Sequence, residues 1–255
     1  MRHIHPLWLR EKLYFHSSAR NHWPHQCDSM ELELAPVRLH HFSKADSMHR
    51  QIAWVGFYEL RLSKRIARLA ATEGMLFDVG ANIGYFSLLW AAAHPANRVF
   101  AFEPSPMVFE MLKGNVEEAG LGSNIQAHKV ALSKETGVAE FDTGPNDQTG
   151  WGGISCAPSQ NTIRVATAKL DDVMRRNGVI DILKIDTEGA DAWVLEGARE
   201  LLNSHRIRHI FFEQNLPRMN ALGIPHTASF HTLESCGYKV EPLRQEKNNF
   251  YARPV

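Results

Sequence analysis

The fold of this chain is indicated most strongly by the stretch from Met75 to Ala93. Its letters are MLFDVGANIGYFSLLWAAA: a short apolar run, a turn that contains two glycines, and a second apolar run at helical spacing. A strand, a glycine-containing turn and an apolar helix in this order predict the first strand, loop and helix of an open α/β sheet. In such sheets a nucleotide-like ligand binds at the carboxyl end of the strand.

The two glycines of this turn have different roles. Gly80 follows the strand where the chain turns sharply, and glycine tolerates the positive φ that such a turn can require. Gly84 stands where the helix begins to pack on the strand, and the missing Cβ allows a close approach. Asn82 occupies the position of the glycine that lets a pyrophosphate touch the backbone, which counts against NAD or FAD. The sequence has no G-K-[ST], so a P-loop is excluded.

Two acidic residues accompany this predicted ligand site. Asp78 stands just before the glycines, where a carboxylate repels phosphate and favours a cofactor with a cationic end, such as S-adenosylmethionine. Glu103 ends the next predicted strand, about twenty positions further on, where an acidic residue grips the ribose hydroxyls. The alternative interpretation of Glu103 is a solvated charge at a strand end. We favour the ribose interpretation because strand, loop, helix and strand follow one another in order.

A second group of charged residues surrounds another apolar strand. The run Ile182 to Ile185 predicts a central strand that Lys184 interrupts, and a buried charge is costly unless it is paired. Lys184 therefore either forms an ion pair with Asp186 or Glu188, or lines the reactive pocket with them. Asp186 ends the strand, and acids at this edge of such sheets face the ligand. Glu213 ends the following predicted strand and lies beside Asp186 if the two strands are neighbours.

Three segments together resemble the FkbM family of S-adenosylmethionine-dependent methyltransferases: FDVGANIGYFS, FAFEPSP and DILKIDTEGADAWVLEGA. The resemblance extends from about Gly56 to Glu213. It implies a Rossmann-like class I methyltransferase fold, an α/β architecture whose seven-stranded, mostly parallel sheet has one antiparallel strand near its edge and helices on both faces. It also implies methyl transfer to a hydroxyl of a small molecule, a sugar or a polyketide-like acceptor.

The resemblance and the residue patterns together give a predicted site. Ala131 enters through the resemblance alone, in which the third strand, predicted here over Ile125 to Leu132, ends against the adenine. For catalysis we expect Asp186 or Glu213 to orient and deprotonate the acceptor hydroxyl, with Lys184 tuning the pocket. The predicted cofactor-binding residues are Asp78, Gly80, Asn82, Gly84, Tyr85, Glu103, Ala131 and Asp186.

Other mechanisms and functions compete with this one. Asp186, Glu213 and Asn215 offer oxygen ligands that suit Mg²⁺, which could activate the hydroxyl; we favour the metal-free version. A non-catalytic or partner-dependent protein of the same fold is the main alternative function. A nicotinamide-dependent dehydrogenase is a weaker one, because Asn82 interrupts the glycine pattern and the sequence has no Tyr-x-x-x-Lys.

Length, charge and cysteine content limit the domain organisation, the partners and the location that we expect. The 255 residues predict an N-terminal extension, residues 1–45, and a methyltransferase domain, residues 46–255. Lys plus Arg and Asp plus Glu each number 28, so nothing favours a nucleic-acid partner, and no apolar run is long enough to span a membrane. Three scattered cysteines, Cys27, Cys156 and Cys236, indicate a reducing compartment. We expect a cytoplasmic protein that acts on a small hydroxylated molecule; the sequence is compatible with an oligomer.

Three segments outside the motifs carry weaker predictions. Asp46 to Thr72 has a helical pattern, in which Tyr58 belongs to the apolar face. Residues 143–160 are loop-like, and Trp151 within them is either a mobile aromatic wall for a substrate or an anchor that buries its ring. His22, His25 and Cys27 lie close together, but no second ligand pair follows at zinc-site spacing, so a polar surface segment is the favoured interpretation.

Overall fold

The chain forms thirteen strands and ten α-helices within the part that the structure describes. This computed structural model describes residues 3–24, 29–145, 147–157, 159–174, 178–243 and 248–255. The strands are β1 (Met30–Glu31), β2 (Arg38–Leu39), β3 (Met75–Val79), β4 (Arg98–Phe102), β5 (Ile125–His128), β6 (Ala131–Leu132), β7 (Gly137–Asp142), β8 (Gly153–Ile154), β9 (Thr162–Ala168), β10 (Ile180–Ile185), β11 (Ile207–Glu213), β12 (Tyr238–Pro242) and β13 (Asn249–Pro254).

The helices differ widely in length. They are α1 (Leu7–His16), α2 (Ser47–Val55), α3 (Leu60–Leu69), α4 (Tyr85–Ala93), α5 (Pro106–Glu118), α6 (Leu170–Val173), α7 (Asp191–Glu196), α8 (Arg199–Asn203), α9 (Leu216–Ala221) and α10 (Ala228–Ser235). Two short 3₁₀ helices cover Ser18–Asn21 and Thr149–Trp151. Across the described ranges, no helix combines the length and the apolar character that a membrane crossing needs.

The main sheet has seven strands in the order β12-β13-β11-β10-β3-β4-β5. The neighbours from β11 to β5 pair in parallel, whereas β13 is antiparallel to both β11 and β12. This arrangement confirms the predicted sheet, with its antiparallel strand next to one edge. A second sheet, β6-β9-β7-β8, is inserted in the chain between β5 and β10.

Apolar residues alternate between two cores along the central strands. Leu76 and Ile182 belong to one buried cluster, and their neighbours Phe77 and Leu183 belong to another. Successive side chains of a strand point to opposite faces, so both faces of the sheet are buried. Polar side chains are therefore best accommodated near the ends of these strands. The charged residues of the motifs lie there.

The glycine turn after β3 is confirmed in detail. Gly80 has a φ of 74°, and a Cβ at this position would lie 1.9 Å from the backbone oxygen of Asp186. Gly84 has a φ of 91°, and its Cβ would lie 2.7 Å from Leu112 Cδ1. Glycine is required at both positions for conformation and for space. The turn thus brings the ends of β3 and β10 into direct backbone contact.

Two predicted elements are each divided in the structure. The helix predicted from Asp46 to Thr72 is wrong as one element: α2 ends at Val55, Gly56 caps it with a φ of 84°, and α3 begins only at Leu60. The left-handed conformation at Gly56 stops the helix and places Tyr58 in the connection. The strand predicted from Ile125 to Leu132 is also wrong as one element, because it divides into β5 and β6, which belong to different sheets.

The N-terminal segment shares the core of the rest of the chain. Arg10 is fully buried and donates to the backbone oxygen of Val55 at 2.8 Å, and its guanidinium pairs with Glu33, also at 2.8 Å. Tyr14 belongs to the same apolar cluster as Ile52. The boundary at residue 45 stays a prediction. His25 and Cys27, of the disfavoured metal site, lie outside the described residues.

Candidate active site

A cavity opens at the carboxyl ends of β3, β4, β10 and β11. Its empty space, which includes open solvent at the mouth, is about 1170 Å³. It brings together all of the predicted site residues except Asp78 and Gly84. The predicted residues that line it are Gly80, Asn82, Tyr85, Glu103, Ala131, Lys184, Asp186 and Glu213.

Glu103 presents a fixed carboxylate to one end of this cavity. Its Oε2 accepts from the backbone N–H of Asn82 at 3.0 Å, and its Oε1 accepts from the N–H of Ser105 at 2.9 Å. Asn82 can serve because it adopts a φ of 50°, a left-handed conformation that asparagine tolerates. Burial raises the pKa of Glu103 to about 7, against an ordinary value of 4.5. Each carboxylate oxygen keeps capacity for a further hydrogen bond from a ligand.

Lys184 connects two strand ends beneath the cavity. Its Nζ lies 3.5 Å from Asp78 Oδ1 and 3.3 Å from Asp186 Oδ2, and it donates to the backbone oxygen of Gly80 at 3.2 Å. Burial alone would lower the pKa of Lys184, but the charges of Asp186 and Asp78 outweigh burial and raise it. Lys184 thus pairs with Asp186, one of the two partners predicted for it, and also lines the cavity.

Asp78 and Gly84 do not line the cavity. The Asp78 side chain is fully buried, and its Oδ2 accepts from Ser87 Oγ at 2.7 Å while its Oδ1 faces Lys184. Burial raises the pKa of Asp78, although Lys184 and Ser87 counteract this. Gly84 precedes α4 and packs on Leu112. Asp78 is therefore placed to hold Lys184, and Gly84 to allow close packing of the helix.

Three carboxylates converge where β10 and β11 end: Asp186, Glu188 and Glu213 all line the cavity. Burial, followed by the charges of Asp186, Glu188 and Asp191, raises the pKa of Glu213 to about 8. Burial and the charge of Asp186 raise the pKa of Glu188 to about 7. Carboxyl groups with these pKa values exchange protons near neutral pH, as a general base must.

The Asn215 side chain, considered as a ligand for Mg²⁺, has other partners. The Asn215 side chain accepts from Arg218 N with its Oδ1 at 3.3 Å and donates to Glu188 Oε2 at 2.6 Å. Its amide is thereby used to begin α9 and to hold Glu188. Among the described residues, no group of three or more His, Cys, Asp or Glu side chains is arranged to hold a metal ion.

Residues 148–152, in the connection between β7 and β8, line the cavity and are fastened to the start of α2. Asp46 is nearly fully buried; its Oδ1 caps α2 by accepting from Met48 N, and its Oδ2 accepts from Thr149 N and Oγ1 at 2.6 and 2.9 Å. Gln148 Oε1 accepts from the Ser47 N–H and hydroxyl. We call residues 148–152 the covering segment. It joins parts of the chain about a hundred residues apart.

His49 also contacts the covering segment, at Thr149. Its Nδ1 accepts from Ser43 N at 2.9 Å, which leaves the proton on Nε2, 3.2 Å from Thr149 Oγ1. Burial lowers the pKa of His49, so the ring is neutral at physiological pH. The Thr149 hydroxyl is then oriented to donate to Asp46.

The sequence missed two aromatic residues of the site or left them open. Tyr58 lines the cavity from the connection between α2 and α3, where a helical pattern had suggested a core position. Trp151 also lines the cavity and has 55% of its surface exposed, so it does not anchor the covering segment by burying its ring. The break at Gly56 is the sequence signal that could have placed Tyr58 outside the helix.

Most of the chain matches a protein-family model. Residues 78–240, well over half of the chain, match the model described as the methyltransferase FkbM domain. The matched region begins at the end of β3 and runs through β10 and β11 into β12. It therefore contains the glycine turn, Glu103 and the three carboxylates.

Individual relatives are more distant. The chain is 28% identical over 170 residues to the 31-O-demethyl-FK506 methyltransferase FkbM of Streptomyces tacrolimicus, a match that covers 54% of this chain and 64% of the relative. It is 29% identical over 152 residues to the hexuronic acid methyltransferase AglP of Haloferax volcanii, covering 57% of this chain and 60% of the relative. The matches thus span less than two thirds of either relative's own length.

A solved structure shows the same fold at lower identity. A putative caffeoyl-CoA O-methyltransferase from Staphylococcus aureus aligns with a TM-score of 0.50 and 11% sequence identity, over 77% of this chain and 82% of that one. This similarity supports the Rossmann-like methyltransferase fold and nothing finer.

Proposed function

Because this chain belongs to the FkbM methyltransferase family, we propose that it binds S-adenosylmethionine in the cavity and transfers the methyl group to a hydroxyl of a small molecule. The observation that carries the proposal is the placement of Glu103. Its carboxylate is fixed by the backbone of the glycine turn at one end of the cavity, and the carboxylates of Asp186, Glu188 and Glu213 line the same cavity.

The residues present fit this cofactor. A carboxylate accepts hydrogen bonds from both hydroxyls of a ribose, and Glu103 keeps an acceptor site on each oxygen. Gly80 and Asn82 line the cavity, so the glycine turn itself forms part of its wall. Ala131 and Phe141 give an apolar wall of the kind that an adenine ring packs on. The carboxylates favour the cationic part of the cofactor.

The chain's own residues supply positioning and proton transfer. The cofactor, when bound, supplies an electrophilic methyl group. Glu213, as a carboxylate, accepts the proton of the acceptor hydroxyl. The Asp186 carboxylate, which Lys184 holds in place at 3.3 Å, provides a fixed negative charge beside Glu213. Glu213 is better suited as the base because Asp186 is already committed to an ion pair. The covering segment helps to exclude water from the cavity. Positioning of the acceptor hydroxyl against the methyl group contributes much of the rate enhancement.

Titration calorimetry tests the cofactor. We expect S-adenosylmethionine and its demethylated product S-adenosylhomocysteine to bind, and NADH not to bind. Binding of NADH with no binding of the other two would contradict the proposal and support the dehydrogenase alternative. The accompanying activity measurement is release of S-adenosylhomocysteine in the presence of hydroxylated acceptors, with and without a chelator. Tight cofactor binding without transfer to any acceptor would favour the non-catalytic alternative.

A further inference from the structure

Tyr58 has a fixed ring and a free hydroxyl. Its backbone oxygen accepts from Ser63 Oγ, and its ring packs edge-to-face on Tyr85 with centroids 6.4 Å apart. Within the part of the chain that the structure describes, no group hydrogen-bonds the Tyr58 hydroxyl, although the side chain lines the cavity. A partly buried phenol with no protein partner is placed to bind a ligand.

The surroundings of Tyr58 are strongly acidic. Burial, then the charges of Glu59, Asp186, Glu213 and Glu188, raise the pKa of Tyr58 well above its ordinary value, so the phenol keeps its proton and can donate it. Tyr58 lines the same cavity as the carboxylates of Asp186, Glu188 and Glu213. The ligand group that meets this hydroxyl must therefore be compatible with nearby negative charge.

Among the described residues, the cations found near this end are already in use. Lys184 is paired with Asp78 and Asp186. Arg218 lies 3.8 Å from Glu188 and donates to the backbone oxygen of Trp151. Neither is available to neutralise an incoming anion without giving up an existing partner.

We propose that Tyr58 binds the methyl acceptor through an uncharged, hydroxyl-bearing group, and that Asp186, Glu188 and Glu213 exclude an acceptor that carries an anionic group at this end. The inference rests on the proposed function. A hydroxyl both donates and accepts, so it can give hydrogen bonds to carboxylates and receive one from the phenol. A carboxylate or phosphate can only accept, and it adds like charge beside three acids.

Matched acceptor pairs test this charge selectivity. Each pair has a neutral and an anionic member. The pairs are methyl β-D-glucoside with methyl β-D-glucuronide, catechol with protocatechuate, and propane-1,2-diol with lactate. S-adenosylhomocysteine formation is measured at about pH 8.5, where Glu188 and Glu213 are mostly ionised. We expect at least one neutral member to be methylated, with kcat/KM about tenfold or more above its anionic partner.

Variants separate a ligand contact from a structural role. Tyr58→Phe should lower kcat/KM on the neutral member by about tenfold, the effect of losing one hydrogen bond to a ligand, with unchanged affinity for S-adenosylmethionine and unchanged urea unfolding. Glu188→Gln should reduce the difference in kcat/KM between the neutral and the anionic member of each pair. Glu234→Gln, on the exposed side of α10, is the matched control and should leave this difference unchanged.

Several outcomes would overturn the inference. They are an anionic member preferred in its pair, full activity in Tyr58→Phe, and no methylation of any pair by a protein that still binds the cofactor. Failure to bind the cofactor at all would instead overturn the proposed function, and the inference with it.

Discussion

Asp78 is enclosed at the end of β3, where Ser87 donates to one carboxylate oxygen and Lys184 faces the other. The motif suggested that this carboxylate meets the cofactor, a role that stays a prediction. The contacts favour an indirect role, in which Asp78 fixes the ammonium group that in turn holds Asp186. A residue in a ligand-binding motif can thus act by positioning a neighbour.

Asp78→Asn should destabilise the protein and leave direct ligand contacts in place. The change leaves a buried Lys184 with Asp186 as its remaining anion, and removing one partner of a buried pair costs about 3 to 5 kcal/mol. Urea unfolding measures the loss. At a temperature where the variant is folded, its affinity for S-adenosylmethionine should change by less than about tenfold, because Asp78 does not line the cavity. A stable variant that has lost cofactor binding would contradict this account.

Glu213 gives the reaction a pH dependence of definite sign. Its pKa is raised to about 8 by burial and by the charges of Asp186, Glu188 and Asp191, with Lys184 opposing them. Below this pH Glu213 holds a proton and cannot accept another. We therefore expect kcat/KM to rise with pH up to about 8 and to level off above it.

Glu213→Gln should abolish that rise. It should also lower activity by a factor of about 10² to 10⁴, the usual contribution of a general base. Cofactor affinity, measured by calorimetry, checks that the site is intact, and Glu234→Gln is the surface control. A variant whose rate still rises through the same pH range would show that another group is the base.

Among the elements, the covering segment is the least expected from the sequence. The β3 turn could be predicted because its glycines and apolar runs are contiguous, and the positive φ of the two glycines is a local requirement. The fastening of Gln148 and Thr149 to Asp46 and Ser47 could not be predicted, because these residues are ordinary polar types far apart in the chain. Only the folded sheet shows that the insertion returns over the glycine turn.

Thr149→Val should loosen the covering segment without removing its bulk. The hydroxyl contacts to Asp46 and His49 are lost, whereas the backbone contact of Thr149 to Asp46 remains. A hydrogen bond to a charged group contributes about 1.5 to 3 kcal/mol, so the dissociation rate of S-adenosylhomocysteine should rise by about tenfold or more.

Stopped-flow tryptophan fluorescence, with Trp151 as a reporter near the mouth, measures this rate. Thr143→Val is the matched control, because within the described ranges its hydroxyl contacts only the backbone oxygen of Asn161, in an exposed position. Equal dissociation rates in both variants and the unchanged protein would show that the segment does not hold the ligand.

For the whole molecule, the sheet order explains why separate motifs form one site. The central position of β3, between β10 and β4, places the glycine turn beside both Asp186 and Glu103. Strand-end acids could therefore be predicted as neighbours once a parallel sheet was recognised. The division of residues 46–72 at Gly56, and hence the position of Tyr58, is harder to predict, because a helical pattern continues across the break and Gly56 is the one local signal against it.

The most direct test of the central claim, that this cavity is an S-adenosylmethionine site with the ribose at Glu103, is a double comparison by calorimetry. S-adenosylhomocysteine and its 2′,3′-dideoxy analogue are titrated into the unchanged protein and into Glu103→Gln. We expect the unchanged protein to bind the analogue about 10- to 100-fold more weakly than S-adenosylhomocysteine, and most of this difference to disappear in the variant. An equal penalty in both proteins would contradict the assignment of Glu103.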